Sequence, residues 1–341
     1  MEETNFAIGI SLSLIAGVFL GTFAAPMKKM LKWEWENIWI LYSLFACVFL
    51  PWILAFLTVP NLLNVYASVE ASTILIVFLF GAGWGIANVG IGIGINKLGI
   101  ALGTAIVLGL NNALGAILPI VLYSPEELLS KTGIGIMIGV SIMLIGIIVC
   151  SIAGFEKDKV LKKNVEYDVK GAKFTNGLII CLIAGVFGAM FNFALVAGQP
   201  IEKAAIEMGA SKLNAANTTW CISLFGGFLV TLFYCLYLLK KNRSFSLFKI
   251  NGSGSYWILT FFMGLMWFGG VALYGRSVMN LGKLGASIGW PLIQSTAVAS
   301  GSIIGIITGE WNDTGRKPLF IMLSGLFFLL LGIIVISTLG Q

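Results

Sequence analysis

Apolar runs of membrane-spanning length, parted by short polar or charged segments, follow one another along nearly the whole chain. A helix rises 1.5 Å per residue, so about twenty apolar residues cross the hydrocarbon core of a bilayer. Ten such runs are predicted, at 7–25, 37–57, 74–95, 99–122, 132–153, 177–198, 213–239, 256–279, 284–308 and 318–339. The expected fold is therefore an all-α integral membrane protein with ten transmembrane helices. The first run follows Glu2 and Glu3, and its basic cluster (Lys28, Lys29, Lys32) comes after it. A cleaved leader carries its charges the other way round, so this run is expected to be a retained span.

The pattern also repeats. Residues 14–19 read LIAGVF, and so do residues 182–187. Gly81-x-x-Trp84 returns as Gly264-x-x-Trp267, and Leu98-Gly99-x-x-x-Gly103 as Leu284-Gly285-x-x-x-Gly289. LIGIIV at 144–149 returns as LLGIIV at 330–335. Four matches in the same order divide the chain into a first five-span unit (1–155), a linker (156–176) and a second five-span unit (177–341). Five is odd, so two such units enter the membrane upside down relative to each other. Inverted repeats place a binding site near the midplane, where the two units meet.

Composition agrees with the membrane reading: 58% hydrophobic residues, 11% charged and a mean hydropathy of +0.97. The net charge of +6 comes from 21 basic against 15 acidic residues. In a soluble chain that excess would suggest nucleic acid; here the basic residues cluster between spans, and no nucleic-acid partner is expected. Five of them (Lys131, Lys203, Lys212, Arg276, Lys283) belong to loops after even-numbered spans, and the other sixteen follow odd-numbered ones. The positive-inside rule then puts the odd-numbered loops and the linker in the cytoplasm and both termini outside. The expected location is the bacterial cytoplasmic (inner) membrane. The five cysteines lie in apolar runs without metal-ligand spacing, and histidine is absent. They read as small buried hydrophobes, and no metal site is expected.

Within the ten predicted spans the only charged residue is Arg276, so chemistry must rest on neutral polar groups. The candidates for substrate contact are Asn88, Asn111, Asn112, Asn192, Asn217 and Gln294, with the indoles of Trp84 and Trp267. A side-chain amide offers two donors and an acceptor, which suits sugar hydroxyls. Trp84 precedes Asn88 by one helical turn, so both project from one face. Each asparagine also has a packing reading, as an interhelical hydrogen bond. Trp33, Trp35, Trp39, Trp257 and Trp311 lie near span ends and read as interfacial anchors. Pro291 marks either a hinge or ligand site in span 9 or a passive kink. Gly90-x-Gly-x-Gly94 lacks the strand and acid of a dinucleotide loop, and no cofactor is expected. Glu310 and Arg316 flank the turn between spans 9 and 10, as a structural ion pair or a gate.

Ala25-Pro26-Met27-Lys28-Lys29 with Lys32-Trp33-x-Trp35-Glu36, then Phe80-Gly81-Ala82-Gly83-Trp84-Gly85-Ile86-x-Asn88, then Gly309-Glu310-Trp311-Asn312-x-x-Gly315-Arg316-Lys317-Pro318 resemble the L-rhamnose–proton symporter family of the drug/metabolite transporter superfamily. The resemblance runs end to end. It implies a secondary transporter, not an enzyme, importing a small neutral sugar of the rhamnose kind with a proton. A metabolite or drug exporter on the same scaffold, a sodium-coupled carrier and an uncoupled sugar carrier stay open as alternatives. For proton coupling the nearest acids are Glu70, Glu202 and Glu310, all placed at span boundaries; sodium held at a Pro291 break is the competing route.

Overall fold

The computed structural model describes residues 5–98, 100–161, 172–309 and 311–339. Among them there is no strand, and ten helices have the length and composition to cross a membrane. In chain order these spans 1 to 10 are Phe6–Lys29, Trp35–Thr58, Ala71–Ile91, Leu102–Tyr123, Lys131–Leu161, Thr175–Glu207, Lys212–Lys241, Gly254–Leu281, Gly285–Ile307 and Arg316–Leu339. Large side chains such as Ile53, Phe233, Phe320 and Ile334 stand exposed on the outside of the bundle. Helices bond nearly all of their backbone within their own spans, so that apolar coat suits lipid. All five cysteines are buried and unpaired.

Several span boundaries differ from the sequence expectation, and three of the shifts bear on where charges lie. Span 2 begins at Trp35, so Glu36 lies in its first turn. Span 5 continues as helix through Leu161, beyond the apolar run, where Lys317 bonds Glu156 at 2.7 Å. Span 6 passes Gly198 and resumes at Gln199-Pro200, where proline suits a first turn, and runs on to Glu207. The spans therefore do contain carboxylates (Glu36, Glu156, Asp158, Glu202 and Glu207), of which Glu36 and Glu202 are buried, because helix continues where hydropathy falls.

The packing follows a regular scheme. Span 1 packs on spans 8 and 9, and span 6 on spans 3 and 4. Span 2 packs on span 8, and span 7 on span 3. Spans 4 and 5 form a pair, as do spans 9 and 10, while span 2 meets 7, span 4 meets 9 and span 5 meets 10. Each of these contacts thus has a counterpart five spans away, or is its own counterpart.

Glycines set the closest crossings. A Cβ on Gly81 would enter the Ser223 carbonyl of span 7, and one on Gly226 the Phe78 carbonyl of span 3. On the other side, a Cβ on Gly264 would lie 2.7 Å from Phe45 Cβ in span 2. Small residues here let two backbones touch, which replaces the hydrophobic drive that lipid removes. Span 2 also carries a π-helical turn, Phe45–Phe49, just before Pro51. The wider turn is a local answer to a proline that cannot donate to the ladder.

Candidate functional site

The two Gly-x-x-Trp motifs deliver their tryptophans to one place. With Gly81 and Gly264 pressed against spans 7 and 2, the indoles three residues on turn inward. Trp84 and Trp267 stack there, centroids 5.4 Å apart and planes 25° apart. They border a cavity of about 430 Å³, within the range of small-molecule sites. Asn88, Asn111 and Gln294 line the same cavity, so five of the eight expected contact residues converge on it. Its remaining wall is largely aromatic, including Phe23, Trp35, Trp39, Tyr42, Phe191, Tyr274 and Trp290. Ser43 and Thr231 add hydroxyls, and among the described residues no side chain charged at neutral pH contributes.

Asn112, Asn192 and Asn217 do not line the cavity. Asn112 is fully buried, and neither atom of its amide has a hydrogen-bond partner. Asn217 Nδ2 donates to Thr58 Oγ1 at 3.0 Å, tying span 7 to the end of span 2. Asn192 has a more specific task. Pro119 in span 4 lacks an N–H, which frees the carbonyl of Gly115 four residues before it. Asn192 Nδ2 donates to that carbonyl at 2.6 Å, and Tyr274 OH donates to Asn192 Oδ1. Trp290 Nε1 donates to the Asn111 carbonyl at 3.0 Å. Phe191 stacks between Trp220 and Trp290 at 4.9 and 5.6 Å. This buried layer of spans 4, 6, 7, 8 and 9 closes one end of the cavity.

The closed end faces the turns after the even-numbered spans. There Lys283 Nζ reaches Glu126 Oε1 at 2.8 Å and Glu127 Oε1 at 3.0 Å, joining the turn after span 8 to the turn after span 4. The Lys283 hydrogen bond holds the Glu126 carboxyl below its ordinary value, and the two carboxylates hold Lys283 above its own. Arg276, half-buried in span 8, donates to Asn214 Oδ1 at 2.8 Å and anchors the 3-10 turn that opens span 7. At the opposite end Phe23, Trp35 and Trp39 flank the cavity, and Trp35 stacks on Trp39 at 5.1 Å.

Of the remaining expected residues, Glu70 is exposed and accepts from Ser72 Oγ at 3.0 Å. Glu202 is buried at the even-numbered-turn end, where Thr219 Oγ1 donates to its Oε1 at 3.0 Å. Among the described residues it has no ion pair. Pro291 lies in a continuous helix, Gly285–Ile307, beside the cavity residue Trp290; the helix is not broken there. Arg316 is exposed in the first turn of span 10, and Glu310 lies outside the described residues.

Sequence reasoning missed the role of span 2. Trp35 and Trp39, read as interfacial anchors, line the cavity with Tyr42 instead. Their spacing of four and three residues, one helical stripe, was the available signal. Trp33 and Trp311 are likewise buried rather than at a lipid interface, and Trp33 Nε1 donates to the Leu247 carbonyl at 2.8 Å. Glu36, with Ser244 Oγ at 2.6 Å and Asn242 Nδ2 at 2.9 Å, fastens span 2 to the turn after span 7.

Ten membrane-length helices around one aromatic and amide-lined cavity make a multi-pass membrane protein built for carriage. The profile of the family described as L-rhamnose-proton symport protein matches residues 2–340, and the chain belongs to that family of transporters. An L-rhamnose-proton symporter of Escherichia coli is 32% identical over 327 residues, 93% of each chain. One from Shigella boydii serotype 4 is also 32% identical over 327 residues, 93% of each chain, and one from Mannheimia succiniciproducens is 30% identical over 336 residues, 96% of each.

Proposed function

We propose that the protein imports L-rhamnose, or a neutral sugar of closely similar shape, together with a proton. The observation that carries this is the cavity wall: stacked indoles, three neutral amides and, among the described residues, no charged side chain. An indole face covers the apolar face of a pyranose, while Asn88, Asn111 and Gln294 meet its hydroxyls. An ionic solute would need a fixed opposite charge. The alternation of span contacts at an offset of five supports two inverted five-span units, with the cavity where they meet. The distribution of basic residues supports a bacterial cytoplasmic membrane location with both termini outside, so that the cavity mouth by Trp35 faces the cytoplasm.

For the proton, Glu202 is the best placed of the boundary acids. A buried carboxylate without a cation is costly, and a proton is the charge that can balance it. Tyr66 and Cys221 are the titratable groups in the apolar cluster around it; span 7, packed on its helix, also carries Tyr234, Cys235, Tyr237, Lys240 and Lys241 toward its other end, and Lys203 and Glu207 point outward on its own helix. Uptake of a panel of labelled neutral sugars by cells lacking their own carrier tests the substrate: L-rhamnose should compete best. In the Glu202→Gln variant, exchange of internal for external sugar should persist while accumulation against a gradient is lost. Loss of both together would return Glu202 to a packing role.

A further inference from the structure

Two smaller cavities continue the central one toward the turns after the odd-numbered spans. The first, about 260 Å³, shares Leu20, Leu108, Gln294 and Ala297 with the central site. The second, about 320 Å³, shares Leu108, Ile147, Ala297 and Val298 with the first. One path therefore runs from Gln294 between spans 4, 5 and 9 to a vestibule beside Trp311 and Lys157. Gly301 and Gly305 keep its span 9 wall low.

The vestibule repeats the chemistry of the central site in a looser form. Thr104, Ser151 and Ser302 line it with hydroxyls. Ser151 Oγ and Ser302 Oγ each donate to their own helix at 2.8 Å, to the carbonyls of Ile147 and Val298. Ser302 keeps its lone pairs, and Ser151 the one not turned to Thr104, to accept from a solute. Thr104 Oγ1 lies 3.2 Å from Ser151 Oγ. Trp311 gives the aromatic wall, and Lys157 Nζ sits 4.9 Å from its ring centroid. An ammonium over an indole holds the place a sugar face would take, and a flexible lysine can yield it.

We infer that this vestibule is a second, weaker sugar site on the release path, in which Trp311 is the stacking platform and Lys157 a displaceable cover. The inference rests on the sugar-transport reading of the central cavity and adds a separate site to it. One aromatic platform and a few hydroxyls make binding weak, as a release step requires.

Ser302→Cys, labelled in inverted vesicles with a membrane-impermeant maleimide, reads the site directly. Cys150 lines the vestibule and Cys47 the central cavity, so the reporter is placed in a Cys47→Ala, Cys150→Ala background, and that background without the reporter is the blank. L-rhamnose should slow the labelling, and protection should persist when Trp84→Ala disables the central site. Adding Trp311→Ala instead should raise the sugar concentration needed for protection by roughly fivefold or more. Ser151→Cys is the second reporter if Ser302→Cys is poorly made. Protection that vanishes with Trp84→Ala, that ignores Trp311→Ala, or that is absent while uptake by the unmodified protein is intact, overturns the inference. Labelling blocked with or without sugar would mean that lipid fills the vestibule, and overturns it too. Failure of the unmodified protein to take up any sugar would instead strike the transport reading.

Discussion

Trp84 and Trp267 stand in contact across the bundle, one from span 3 and one from span 8, and each follows by three residues a glycine that allows its own helix to touch a third. The stack is thus the meeting point of a motif used twice. Each ring gives one face to the other and leaves its remaining surface to the cavity or to Phe191 and Tyr42.

Removing one ring should therefore damage substrate binding more than removing a tryptophan elsewhere. Trp84→Ala is expected to weaken sugar binding by about 2 kcal/mol, combining lost stacking with a displaced amide. Trp257→Ala, whose ring packs at a span end against Trp33 and Phe248, should leave affinity nearly unchanged. Equilibrium binding of labelled sugar to the two purified variants decides between them.

The glycine crossings should be intolerant of side chains. Gly81→Ala places a methyl in the Ser223 carbonyl and should cost about 1–3 kcal/mol by overpacking. Gly154→Ala, with nothing within 4 Å, should be neutral or slightly stabilising through helix propensity. Thermal denaturation of the detergent-solubilised variants measures both.

Asn192 and Pro119 should be coupled energetically. Asn192→Leu leaves the Gly115 carbonyl without its donor, at about 1–3 kcal/mol for a buried acceptor. Restoring the helical N–H with Pro119→Ala should recover part of that loss in the double variant. A double-mutant cycle on thermal stability with no coupling between the two sites would refute the assignment.

The ion pair on the even-numbered turns has a defined pH window. Glu126 is depressed from its ordinary 4.5, so its contribution is complete above that value and lost as pH falls through the lowered one. Lys283 is raised from its ordinary 10.5, so its contribution is complete below that value and lost as pH rises through the raised one. The latch should hold between those limits. Labelling of Ser287→Cys, buried behind this end, taken relative to an exposed control cysteine at the same pH, should be flat across the window and faster in Lys283→Gln.

The ten spans were legible because each exceeds the length at which hydropathy decides, and the Trp84–Trp267 contact because its motif occurs twice. Helix ends were less so. At Trp35, Leu161 and Glu207 the helix outlasts its apolar run, and burial of Glu36 and Glu202 depends on partners from other spans. The bond from Asn192 to the carbonyl freed by Pro119 joins residues 77 apart from that carbonyl's own position, and no local pattern announces it. Trp311 was misread for the opposite reason: position near a span end says where a residue lies along the helix, not which face it occupies.

The central claim is that sugar and proton move together. It is tested most directly by adding L-rhamnose to a weakly buffered suspension of energy-depleted cells expressing the protein while recording external pH and sugar uptake. The account predicts transient alkalinisation that accompanies uptake, absent from Glu202→Gln cells. Uptake without any pH change, and with accumulation in energised cells unaffected by a protonophore, would contradict it.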